Sequence, residues 1–264
     1  MSQGARVFAA QRYRLSTLTV PSDLLVMVVS GRKMLQAPGR SITADQGQSV
    51  LIARGTQWDV VNDPHGQRQY EAWVLAFDDA LVREFKQQVG EHGHTVHAAE
   101  VIAHDGDLLE ALQRTLPTPH RTSAALLRHR SMEVLLMLAE KGWRFAPTQE
   151  LSWTERIQRM VSQRPDADWN VSAIAQAFHL SESSLRRRLY DSQQTLAALV
   201  RDARLQVAVG LLQTTELSVG EVAQRCGWTS HSRFTAAFQE RWGVAPSVVR
   251  ARMKESAQVL TDLG

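Results

Sequence analysis

The sequence predicts an α+β protein in which a small antiparallel β-structure with accessory helices precedes an all-α half. Three observations predict it. Residues 170–252 state one pattern twice: a short apolar-periodic helix, a tight turn, then a second and more polar helix. Residues 12–78 instead break short apolar runs with turn residues. The chain has 264 residues, 44% hydrophobic and 22% charged, which is enough for two separate cores and ordinary for a globular protein.

Taken in order, the runs YRLSTLTV, LLVMVVS, SVLIAR, WDVV and EAWVLAF are punctuated by Pro21-Ser22-Asp23, Pro38-Gly39, Asp45-Gln46-Gly47 and Asn62-Asp63-Pro64. Short strands between such turns form an antiparallel sheet curled into a barrel or sandwich. Only His65 lies in this stretch, in a turn, so no catalytic metal set is expected. Trp58, Tyr70 and Trp73, with Met27 and Phe77, either line an apolar ligand pocket or fill the interior, and filling is the expectation. Arg32, Lys33 and Arg54 are the nearest cations. They are expected to be solvated, with carboxylate binding as the alternative.

Residues 79–88 read as a short amphipathic helix. The following EHGHTVHAAEVIAH gathers His92, His94, His97 and His104, but without a helical register to converge them, so loop histidines are expected rather than a metal site. The strongest helix of this half spans residues 122–143. Its apolar surface is wider than one stripe, which suits packing on the sheet and on a second copy of the chain, with Leu127 and Leu138 on the outer stripe. A linker at residues 146–152 follows, and Ser152 with Glu155 forms a capping box at the next helix. The expected domains are therefore 1–145 and 153–264, with the last residues, from about Ser256, frayed.

In the repeat, WNVSAIAQAFHLSESSLRRRLY aligns with ELSVGEVAQRCGWTSHSRFTAAF. Ile174, Ala175, Phe178 and Leu180 match Val222, Ala223, Cys226 and Trp228. Leu185 and Leu189 then match Phe234 and Phe238. Ser218 and Glu221 make a second capping box, and Ser181 and Ser230 cap the two second helices. Gly227 suits a turn that needs positive φ, whereas His179 at the same place is less comfortable. Residues 195–215 between the copies form one amphipathic helix of about 18 residues, roughly 27 Å long at about 1.5 Å per residue. With the flanking widths added, the two second helices stand about 34 Å apart, one turn of B-form DNA.

The motifs SESSLRRRL, Arg204–Leu205 opening the long helix, and the terminal WGVAPSVVR resemble the DNA-binding domain of the AraC/XylS family of bacterial transcription regulators, over roughly residues 153–254. The resemblance implies a double helix-turn-helix domain on double-stranded DNA, RNA polymerase as a partner, and a cupin-like N-terminal barrel serving effector response, dimerisation or both. It places Ser183, Arg186 and Arg187 toward the major groove, with Arg188 one step round, toward phosphate. Ser230, His231, Ser232, Arg233 and Thr235 take the corresponding places in the second unit. Ala236 departs from the pattern, because many members carry a basic residue there.

Charge agrees with that placement. Net charge is only +3, yet residues 156–254 carry 14 Lys and Arg against 8 Asp and Glu. The single cysteine, Cys226, excludes an internal disulfide and reads as a packed core side chain in a reducing cytoplasm. No apolar run suits a membrane span or signal peptide. No cofactor is expected, and no nucleophile–base pair supports an enzyme. The expectation is a cytoplasmic, effector-responsive DNA-binding regulator, an activator by family habit. The alternatives are an effector-independent regulator with a structural N-domain and, more remotely, a DNA-tethered cupin-type enzyme.

Overall fold

A computed structural model describes residues 3–89, 93–103, 105–117, 122–146 and 152–250. The β-rich half contains β1 (Gln3–Ala9), β2 (Tyr13–Thr19), β3 (Asp23–Ser30), β4 (Arg32–Ala37), β5 (Arg40–Asp45), β6 (Gln48–Ile52), β7 (Gln57–Asp63) and β8 (Tyr70–Phe77). There follow α1 (Asp79–Val89), β9 (His94–Val96), β10 (Ala99–Ala103), α2 (Gly106–Thr115), α3 (Ala124–Glu140) and β11 (Trp143–Phe145).

These strands form two antiparallel sheets, ordered β1-β8-β3-β6-β10 and β2-β7-β4-β5, with a small parallel β9–β11 pair beside them. The sheets stay separate, so the curled structure is an open sandwich rather than a closed barrel. The chain changes sheet at corners. One is Gly31, where φ is 82° and a Cβ would fall 2.4 Å from the Asp63 carbonyl oxygen. Val26, Val28, Val50 and Ile52 of one sheet meet Leu15, Leu35, Trp58 and Val60 of the other.

The LLVMVV run of β3 has no alternation because both of its faces are buried. Leu25 and Met27 point away from the sandwich interior. With Leu51, Leu75 and Phe77 they form a second core under α1, α2 and α3. That core explains α3. Val134, Leu135 and Leu138 are buried in it, and Leu138 is only 1% exposed. The outward apolar residues are Leu126 and Leu136, 42% and 41% exposed, so the stripe expected from Leu127 and Leu138 is displaced round the helix.

Of the clustered histidines, His94 lies on β9 with its ring edge-on to Trp143, so part of that stretch is strand rather than loop. His92 and His104 lie outside the described residues, as do most of the expected linker and the frayed end.

The helical half comprises α4 (Trp153–Gln163), α5 (Val171–Ala177), α6 (Glu182–Asp191), α7 (Leu196–Thr214), α8 (Val219–Arg225), α9 (His231–Trp242) and α10 (Pro246–Val249). Both capping boxes form, at Ser152–Glu155 and Ser218–Glu221. Asn170, Ser181, Thr195 and Ser230 each accept a backbone N–H at their helix starts.

The halves are joined by specific contacts. Arg241 of α9 donates to the Ser16 and Thr17 carbonyls of β2 at 3.1 and 2.9 Å. Thr17 sits at a register shift in that strand with φ 53°. Asp79 accepts from Arg54 of the sandwich at 2.8 Å and from Arg159 of α4 at 2.5 Å. Gln213 of α7 donates to the Tyr13 hydroxyl at 2.7 Å. Apolar packing continues across the boundary, from the sandwich interior to Leu205, Ala208, Leu212 and the second repeat.

Candidate DNA interface and the sandwich interior

The repeat extends to the hydrogen bonds that end its first helices, although the second turn carries one extra residue before its second helix. In the first unit, α5 ends with His179 at φ 54°, and the amides of His179 and Leu180 donate to Gln176 and Ala175. In the second, α8 ends with Gly227 at φ 75°, and the amides of Gly227 and Trp228 donate to Gln224 and Ala223. Both are left-handed helix ends of the same type, satisfying the last carbonyls before the chain turns into α6 or α9.

Arg204 of α7 holds the two units together. Its guanidinium donates to the Pro165 and Ala167 carbonyls, at 2.8 and 2.9 Å, ahead of α5. The same guanidinium lies so close to Gly227 that a Cβ there would be 2.8 Å from Nη2, and 2.7 Å from the Pro165 oxygen. Gly227 thus answers to close approach as well as to φ. Cys226 beside it is fully buried, and burial pushes its thiol up to about 12. That fits the packed reading and gives no thiolate for redox chemistry.

On α6, Ser183, Arg186 and Arg187 are exposed on one face. Arg186 makes a loose pair with Glu182 at 3.6 Å, whereas Arg187 has no ion pair or side-chain hydrogen bond among the described residues. Arg188 is half-buried and stacks on Trp153, 4.1 Å from the ring centroid. Tyr190 is 83% exposed. It lies seven residues after Ser183 and so on the same face, a position that i, i+3, i+4, i+7 spacing alone would have found.

On α9, His231, Ser232 and Arg233 are exposed while Ser230 is committed to its cap. Thr235 is half-buried with its hydroxyl covered and unpartnered, because it faces partly into the unit. Ala236 and Gln239 are exposed, and Gln239 is the counterpart of Tyr190. The long α7 between the units has 19 residues, about 28 Å at roughly 1.5 Å per residue.

The three candidate pocket residues do not converge. Trp58 and Tyr70 are buried in the sandwich interior, while Trp73 lies on the opposite face of its sheet beside the helical core. Tyr70 and Trp73 are three apart on β8, and the pleat sends them to opposite sides.

The cations differ more from expectation. Lys33 is buried, 8% exposed, and burial pulls its ammonium down to about 8. It donates to Asn62 Oδ1 at 3.0 Å and lies 5.9 Å from the Tyr70 ring centroid. No carboxylate pairs with it among the described residues. Asn62 in turn donates to the Tyr13 hydroxyl at 2.7 Å, the same oxygen that receives Gln213. Burial pushes Tyr13 up to about 12, against the lowering effect of those hydrogen bonds, so the hydroxyl stays neutral. The Tyr70 hydroxyl is buried without a hydrogen-bond partner among the described residues. Arg54 is likewise enclosed, between Asp79 and the Asp23 carboxylate that accepts its backbone N–H.

Comparison with known proteins agrees with this division. The family described as a helix-turn-helix domain matches residues 174–252, and the ExsA N-terminal regulatory domain matches residues 23–145. The chain is similar to the HTH-type transcriptional regulator YdeO of Escherichia coli (strain K12), 33% identical over 38% of this chain and 39% of that one. It is also similar to the urease operon transcriptional activator of Escherichia coli, 26% identical over 57% and 53% respectively. The matches therefore span about two-fifths to half the length of these relatives. An apo ToxT variant from Vibrio cholerae has the same fold, with a TM-score of 0.63 at 15% identity over 94% of this chain and 95% of that one. Unsaturated fatty acid-bound ToxT gives 0.61 at 16% identity, over 94% and 93%. Among the described residues, no helix is long and apolar enough to cross a membrane. With the doubled helix-turn-helix and its Arg204 clip, the two regional matches give the chain an AraC-type helix-turn-helix domain at residues 174–252 and an ExsA-type N-terminal regulatory domain at residues 23–145, and its relatives are AraC-family regulators.

Proposed function

We propose that this chain is a cytoplasmic, sequence-specific transcription regulator that places α6 and α9 in successive major grooves on one side of duplex DNA. The observation that carries this reading is the pair of matched helix-turn-helix units fixed on one 19-residue helix, each with an exposed arginine on its second helix, Arg187 and Arg233, that has no ion pair among the described residues. Ser183, Arg186, Arg187 and Tyr190 are the readers of the first unit, and His231, Ser232 and Arg233 those of the second. Arginine presents a planar fork to guanine O6 and N7, and the helix N-termini offer amides to phosphates. Mapping the genomic sites that the full chain occupies tests this. Occupancy without a shared sequence would refute sequence-specific regulation.

The N-terminal half, on this proposal, senses an apolar carboxylic acid. What supports it is Lys33: a buried ammonium without a carboxylate, joined through Asn62 and Tyr13 to Gln213 of α7. An anionic head group would supply the missing countercharge near Tyr70, whose hydroxyl has no partner among the described residues, and Trp58 belongs to the same apolar core. ToxT has been solved with an unsaturated fatty acid and with a naphthalenyl-butenoic acid, both of this chemistry. Calorimetric titration with an unsaturated fatty acid checks it: binding lost in Lys33→Met, with the fold kept, is the expected result. Equal binding by that variant would remove Lys33 from the site.

Self-association through α3 is part of the proposal, now by way of Leu126 and Leu136. Sedimentation of Leu136→Glu should give a folded monomer where the unmodified chain dimerises. A monomeric unmodified chain at micromolar concentration would end this part alone.

A further inference from the structure

Trp153 opens α4, outside both helix-turn-helix units, and yet it meets the first reading helix. Its ring lies 4.1 Å from the Arg188 guanidinium and 5.0 Å from that of Arg156, and Phe178 approaches edge-on at 5.4 Å. Arg188 has no ion pair or side-chain hydrogen bond among the described residues; the indole is what holds it. That difference matters chemically. A carboxylate would also have fixed the guanidinium, but would have neutralised it and competed with any incoming anion. A ring takes only the flat face and leaves the charge and the in-plane N–H donors available.

The direction of Arg188 fits a phosphate rather than a base. Successive α-helical residues are rotated by about 100°, so Arg188 lies about 100° round from Arg187 and farther still from Ser183, Arg186 and Tyr190, outside the face that would read bases. When that face enters a groove, a long side chain rooted outside it has the sugar-phosphate wall, and not the base edges, as the DNA within its reach.

We propose that Trp153 is a positioning residue for a DNA phosphate contact made by Arg188, so that the DNA footprint of the first unit extends onto α4. The inference rests on reading α6 as a DNA-binding helix. It makes Trp153 part of affinity without being part of sequence recognition.

The test uses the full chain and a random-sequence duplex of about 40 base pairs, since a phosphate contact is independent of sequence. Fluorescence anisotropy over a salt series gives affinity and the log–log salt slope, which changes by about 0.9 per phosphate contact. Arg188→Ala and Trp153→Leu should each weaken binding several-fold and lower the slope by about one. In the Arg188→Ala background, Trp153→Leu should add nothing, and Trp153→Phe should keep most of the slope because it keeps a ring face. Thermal melting of each variant is followed in parallel. If Trp153→Leu does not fold, Trp153→Met, which keeps apolar volume without a ring face, takes its place in the same comparison with and without Arg188→Ala.

An unchanged slope in Arg188→Ala, or additive losses in the double variant, would overturn the proposal. Arg187→Ala separates the two levels. If it lowers the slope while Arg188→Ala does not, only the Trp153 proposal fails. If neither does, α6 is not on DNA and the underlying reading fails with it.

Discussion

The two helix-turn-helix units share a backbone and differ in what surrounds it. The first ends α5 on His179 and the second ends α8 on Gly227, with the same pair of amide-to-carbonyl bonds in each. A side chain in the left-handed region costs roughly 1–2 kcal/mol whichever unit it is in. The first unit tolerates that cost with His179 exposed to solvent. The second cannot accept a side chain there, since Arg204 and the Pro165 carbonyl already occupy the space a Cβ would need. The neighbour, more than the dihedral, decides which residue the turn accepts.

The units also differ in what holds them. The second bonds to the sandwich directly through Arg241 and shares a continuous apolar core with it, while the first packs against α4, which in turn meets the sandwich at Arg159. The more basic reading helix thus belongs to the unit with fewer ties to the sandwich.

The largest expected effect breaks the backbone half of this comparison. Gly227→Ala should lower stability by about 3 kcal/mol or more, combining the left-handed penalty with overpacking against backbone and Arg204. Chemical denaturation of the full chain, with His179→Ala as control, measures it, and equal losses at the two sites would sink the distinction.

Next comes DNA recognition. Arg187→Ala should cost roughly 1–3 kcal/mol at the cognate site, and His231→Ala less, so the half-site facing α6 should be stricter and contain guanine. The second half should lean on DNA shape. A saturation-mutated operator tests it; a dominant loss from His231→Ala would make α9 the principal reader.

A smaller effect follows from Lys33, which lies on the second unit's side of the molecule through Gln213. Its folded value, about 8, lies below the ordinary lysine value of 10.5. Between those two pH values the unfolded chain binds the extra proton, so stability rises with pH across that window and is lost again on acidification through it. The rise should be present in the unmodified chain and absent from Lys33→Met when their denaturation midpoints are subtracted. Parallel curves would mean that Lys33 is solvated.

Smallest of all, His179→Gly should change stability by no more than about 1 kcal/mol, relief of the positive φ being offset by glycine's entropy in the unfolded chain. A thermal shift of many degrees would show that the His179 side chain has a role of its own.

Much of the helical half was legible in the sequence because its signals are local. The capping boxes span four residues, the turn is marked by Gly227, and the apolar spacing repeats. The face containing Tyr190 is equally readable from its spacing, although an exposed tyrosine taken alone resembles an ordinary surface residue. The rest depended on partners distant in the chain. The burial of Lys33 needs Asn62, 29 residues on, and the burial of Leu138 needs the sheet beneath α3. Whether the sheet would close or stay open depended on where strands change partners, which no strand's own alternation records.

The rigidity of α7 has a consequence for how this protein can change its target. One residue inserted into that helix would advance the second unit by only about 1.5 Å, less than half the rise of a base pair, while turning it by about 100°. Phase, rather than reach, would be lost, and the Arg204 clip could no longer meet Gly227. The spacing between half-sites is thereby frozen into the length of one helix, and new operators become accessible by substitution on α6 and α9 alone.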